Sequence, residues 1–119
     1  MAISYSAPVK DLMFLFDDVM AMQENFEHLN DGELATPDVV SAILSEAGKF
    51  CENELAPLYQ SGDEGCIWDA GVVTTPTGFK EAYRKFVDAG WTSLSGDPAY
   101  GGQGLPSSIM IAVNEMLAT

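Results

Sequence analysis

Apolar residues return every three or four positions along most of this chain, and that rhythm sets the expected elements. In "APVKDLMFLFDDVMAMQ", Val9, Leu12, Met13, Phe16, Val19 and Met20 mark one helix, with Pro8 suited to its first position. Phe14 and Leu15 widen the stripe beyond what one neighbour would cover, so Lys10, Asp11, Asp17 and Asp18 are its only wet side. "NDG", Asn30 to Gly32, then signals a turn. The clearest helix comes next: Thr36 is a ready N-cap, Pro37 takes the first helical position, and Asp38 complements the positive end of the dipole. Val40, Ile43, Leu44, Ala47, Cys51, Leu55 and Leu58 hold one stripe along it, and Pro57 is expected to kink or end the helix.

The period then changes. "CIWDAGVVTT" offers two short β-prone runs around Asp69-Ala70-Gly71, a hairpin that is marginal alone and is expected to lie against the helices. A third helix is expected from about Thr75-Pro76, with Phe79, Ala82, Tyr83, Phe86 and Val87 on one face and Gly90 as its stop. After the glycine-rich stretch "DPAYGGQGLP", a fourth carries Ile109, Ala112, Val113, Met116 and Leu117, with Ser107 available as N-cap and Ile111 off the stripe. The fold class is therefore all-α, with at most one small β-hairpin.

Composition narrows the field. At 119 residues and 47% hydrophobic content the chain has the means to build one core, which excludes disorder. A net charge of −13 argues against nucleic acid and anionic membrane surfaces as partners. Lys80, Arg84 and Lys85 form the one basic cluster, read as a solvated helix face. No run approaches the ~18 apolar residues of a membrane helix, and no secretory signal is visible. Cys51 on an apolar face reads as a buried free thiol, and a reducing, cytoplasmic location is expected.

Residues for catalysis are sparse. His28 stands alone, neither cysteine has a C-x-x-C partner, and no metal site is expected. Glu52 with Glu54, and Asp63 with Glu64, read as solvated charge rather than acid–base pairs. "GGQG" lacks the Lys-Ser/Thr that a phosphate loop requires.

The order of the pieces says more than any one of them. "GWTSLSGDPAYGGQGLP", Gly90 to Pro106, resembles the "GW.GL..P..YGG.GLP" segment in the N-terminal helical domain of the acyl-CoA dehydrogenase family. "ILSEAGKFCENELAPLYQSGDEGC" is similar to that domain's long helix and following loop, and "GVVTTPTGFKEAYRKFVDAGW" to its continuation. "YSAPVKDLMFLFDDVM" resembles the N-terminal extension of the subgroup that includes the dehydrogenase acting on 3-(methylthio)propionyl-CoA. The resemblance implies residues 1–35 as extension helix and turn, and 36–119 as the helical domain.

It also implies an activity that this chain does not carry alone: FAD-dependent α,β-dehydrogenation of an acyl-CoA to an enoyl-CoA, with electrons leaving through an electron-transfer flavoprotein. Family members of this subgroup are roughly five times longer. The flavin site lies mostly in their β-domain and the catalytic glutamate in a second helical domain, so no catalytic residue and no FAD contact is assigned here. The isolated chain is expected to be inactive and free of FAD. Its expected contribution is one wall of the acyl pocket, with Met110, Val113, Asn114 and Leu117 as candidate substrate-binding residues on the last helix. The surplus apolar surface leads to an expected homo-oligomer. The rival reading is a free-standing helical interaction module.

The glycines have a reason in either case. A chain leaving one packed helix for another needs positive φ and close backbone approach, expected at Gly101 or Gly102. Pro98 and Pro106 would stiffen the ends, while Trp91, Leu94 and Tyr100 would anchor the loop by burial.

Overall fold

Residues 4–30 and 32–119 are described by the computed structural model. The helices are α1 (Val9–Phe14), α2 (Met22–Phe26), α3 (Pro37–Phe50), α4 (Tyr59–Glu64), α5 (Phe79–Asp88) and α6 (Ser107–Ala118). One antiparallel hairpin joins β1 (Ile67–Asp69) to β2 (Val72–Thr74), with Trp68 opposite Val73. Its two-residue turn holds Ala70 at φ 46° and Gly71 at φ 83°, the double left-handed geometry that matches strand twist.

The core is the seam between α3 and α6, with α1 along α3. Val40, Leu44, Ala47 and Cys51 meet Ile109, Ala112, Val113 and Met116, and Leu12, Phe16, Phe26, Leu94 and Leu105 close the ends. Thr36 caps α3 as expected, its Oγ1 accepting from the Val39 N–H at 3.4 Å. Ser107 does not cap α6. It is the first helical residue, and Pro106 holds the N-cap position, where it has no oxygen side chain to offer.

Two π-helical turns, Leu15–Val19 and Cys51–Leu55, alter the expected stripes. Each admits one extra residue and rotates the next turn of the helix by about 100°. In the first case Leu12 and Phe16 stay buried, but Val19 and Met20 turn out to solvent, and Ala21 breaks the path in the left-handed region at φ 45°. The one long helix expected there is thus two short ones. In the second case Pro57 does not end the helical path: a 3-10 turn, Ala56–Leu58, carries it into α4, and Gly65 at φ 79° stops it.

α5 begins at Phe79 rather than at Thr75-Pro76, because Gly78 turns left-handed at φ 88° and the Ser61 hydroxyl holds the Thr77 carbonyl at 2.6 Å. Gly90, at φ 82°, ends it as expected. In the glycine loop Gly101 and Gly104 take positive φ (88° and 70°) and Leu94 is buried, but Tyr100 is 92% exposed and anchors nothing. The hairpin also departs from expectation. Trp68, Val72 and Val73 are more than half exposed, so it projects from the helices instead of lying on them.

The result is a slab measuring 54 × 36 × 17 Å, with a radius of gyration of 16.7 Å where a compact chain of this length has about 13–14 Å. Its accessible surface, 8017 Å², exceeds the value usual for its size by about 1700 Å². No helix among the described residues is long and apolar enough to cross a membrane.

Candidate functional site

The main concavity is an open groove of about 830 Å³ between α5, the turn running from Cys51 into α4, and the C-terminal end of α6. It arises because α5 buries only Ala82. The helix leans on the slab through one tilted ring pair, Phe50 and Phe86, with centroids 5.7 Å apart, and one ion pair, Lys85 Nζ to Glu54 Oε2 at 2.7 Å. The rest of its apolar face, Phe79 and Tyr83, lines the groove with Leu55, Tyr59 and Leu117.

The N-terminal segment straps one end. The Ala7 N–H donates to Glu52 Oε1 at 2.8 Å, and the Tyr5 hydroxyl donates to the Met116 carbonyl at 3.3 Å. Gly48 lets the strap lie close: a Cβ there would stand 3.0 Å from that of Ala7 and 3.1 Å from Val9 Cγ2. Glu52 and Glu54 therefore serve as a backbone clamp and an ion-pair partner, not as an acid–base couple.

The chemistry of the lining is apolar and aromatic. Among the described residues no Lys or Arg borders the groove, and Asp63 is its one carboxylate. Such a surface suits an acyl chain or an apolar side chain and would repel a pyrophosphate. Cys51 closes the floor with its thiol pushed above the usual value by burial and, secondarily, by the Glu52 charge, which makes it inert as a nucleophile. No cluster of three or more metal-ligating side chains occurs among the described residues. His28 is exposed on the surface.

Of the four residues singled out on the last helix, Leu117 borders the groove. Val113 is 1% exposed within the core, Met110 is half-buried against that core, and Asn114 is exposed. The structure brings Leu117 together instead with the aromatics of α5. Their spacing is visible in the sequence as a stripe, but a stripe does not tell a core face from a groove wall.

No family model matches the chain. A 3-methylmercaptopropionyl-CoA dehydrogenase of Ruegeria pomeroyi is 39% identical over 116 residues, 97% of this chain and 20% of the relative. A broad-specificity linear acyl-CoA dehydrogenase of Mycobacterium tuberculosis is 28% identical over 116 residues, 93% of this chain and 18% of the relative. The chain spans about a fifth of the length of the curated relatives it matches. Over nearly all its residues, and helical as the resemblance implied, the chain is similar to part of these two acyl-CoA dehydrogenases.

Proposed function

We propose that the chain acts as the N-terminal helical part of an FAD-dependent acyl-CoA dehydrogenase, with residues 1–35 as its extension and 36–119 as the domain proper. The observation that carries this reading is a cation-free apolar groove in a chain related throughout to such enzymes. The groove walls one side of an acyl chain: Leu117, Phe79 and Tyr83 exclude water, and the apolar floor offers the fatty portion of an acyl-CoA about 25 cal/mol per Å² buried. Met110 and Asn114 lie on the same helix and continue the wall outside the groove. Val113 supports it from the core.

FAD, when bound in that enzyme, supplies the hydride acceptor for the β-hydrogen of the substrate. This groove does not fit it, since no basic side chain meets a pyrophosphate there, and the chain's residues are given no flavin contact. The base that removes the α-proton, the electron-transfer flavoprotein, a homo-oligomeric state, a role in fatty acid β-oxidation and a cytoplasmic location belong to the same proposal. The isolated chain is proposed to be colourless and inactive.

The test is Leu117→Trp in a full-length enzyme carrying this segment. KM is expected to rise for long acyl-CoA substrates by about tenfold or more and to change little for short ones, at unchanged flavin content. An equal effect at every chain length, or none, would leave the groove outside the acyl pocket. Stoichiometric flavin absorbance on the isolated 119-residue chain would overturn the assignment of FAD contacts elsewhere.

A further inference from the structure

Residues 4–8 precede the first helix, and burial alternates along them as in an extended chain: Ser4 and Ser6 are exposed, while Tyr5 and Ala7 are half-buried. The inner side of this strap is held at two points. Glu52, on the π turn after α3, accepts from the Ala7 N–H at 2.8 Å. The Tyr5 hydroxyl donates to the Met116 carbonyl at 3.3 Å and lies 3.5 Å from Thr119 Oγ1. That carbonyl is one of the last four of α6, which a helix leaves without a partner of its own.

Seated in this way, Tyr5 packs against the core and borders the groove together with Cys51, Met116 and Leu117. This part of the wall is apolar. Among the described residues the one carboxylate on the groove, Asp63, stands on α4, whereas the strap rests on the π turn after α3 and on α6. The apolar end of a bound chain therefore belongs at the strap and its polar end toward α4.

We infer that Tyr5 is the stop that sets how long an acyl chain the groove admits, and that Glu52 is the positioning residue that holds the stop in place. The inference rests on the acyl-pocket reading and adds to it what bounds the substrate at this end. The ring is the only bulk the strap offers, since Ser4, Ser6 and Ala7 have no side chain of that size. Truncating it opens the groove past Met116. Removing the Glu52 carboxylate frees the Ala7 amide, and the ring moves with the strap. Each methylene transferred from water into the opened space strengthens binding about fourfold, so room for two more is read as about fifteenfold.

The experiment measures kcat/KM against acyl-CoA chain length for a full-length enzyme carrying this segment and for its variants. Tyr5→Ala is expected to raise kcat/KM by about tenfold for chains two methylenes beyond the wild-type cut-off, chiefly through KM, and to leave shorter substrates and flavin content unchanged. Tyr5→Phe keeps the ring and should keep the cut-off. Glu52→Ala should move the cut-off as Tyr5→Ala does, and Glu52→Gln, whose amide oxygen still accepts from Ala7, should restore it. Should Tyr5→Ala fail to fold, Tyr5→Leu keeps apolar packing on the core and is expected to move the cut-off in the same direction. An unchanged cut-off in the folded Tyr5 variants, while Leu117→Trp still discriminates by chain length, would overturn this inference alone. An unchanged profile in the Tyr5 variants and in Leu117→Trp would remove the groove from the acyl pocket and both readings with it. An equal loss at every chain length would make the strap a structural tie and overturn the inference as well.

Discussion

Gly102 offers the sharpest check on the loop. Backbone hydrogen bonds lace it to the turn before it: the Gln103 N–H donates to the Ser93 carbonyl at 2.9 Å, Gly104 to Gly96 at 2.9 Å, and Leu105 to Leu94 at 2.9 Å. Gly102 itself donates to Asp97 at 3.0 Å. A Cβ on Gly102 would overlap the Gly96 carbonyl and stand 2.5 Å from Gly96 Cα, and backbone cannot rotate away as a side chain tip can. Relief needs a shift of about 1 Å, enough to break the Gly104–Gly96 and Gly102–Asp97 bonds, which contribute about 1 kcal/mol each. Gly102→Ala is therefore expected to cost about 2–3 kcal/mol.

Gly101 is the control. A Cβ there meets nothing within 4 Å, and its φ of 88° charges Ala only the left-handed penalty, about 1 kcal/mol. Urea unfolding at constant m-value measures both. If Gly102→Ala costs no more than Gly101→Ala, close approach is not what the glycine serves, and the account of the loop fails.

Two further outcomes rest on burial. Cys66 is exposed and should react with a thiol reagent in the native chain, whereas Cys51, 1% exposed, should react only on unfolding. Because the folded state holds the Cys51 proton above its ordinary value of 9.0, stability should be intact below that pH and decline as pH rises through the folded value; Cys51→Ala should abolish that slope, and an unchanged slope refutes the assignment. Trp68→Ala should change stability by no more than about 0.5 kcal/mol, since the hairpin stands clear of the helices. A loss above about 1 kcal/mol by chemical denaturation would mean that the hairpin is docked after all.

Features that depend on neighbours along the chain were settled by the sequence alone. Thr36 and Pro37 start α3, Gly90 stops α5, Asp69-Ala70-Gly71 turns the hairpin, and Gly101 takes positive φ. Each is a matter of local hydrogen bonds and sterics, so residue type and spacing suffice to read it. The family was legible in the same way, from the motif around the glycine loop. Tertiary structure decided which face meets which partner. Val113 and Leu117 share a helix and an apolar character, yet one is sealed against α3 and the other borders the groove, because α5 stands off from the slab at that end. Phe79 and Tyr83 line an opening instead of a core for the same reason, and Tyr100 lies bare because nothing packs over its turn. The π turns belong with these: one extra residue in a turn swings Val19 and Met20 round the helix by about 100°, and the packing of Phe16 and Phe26 into the core sets where that residue is taken up.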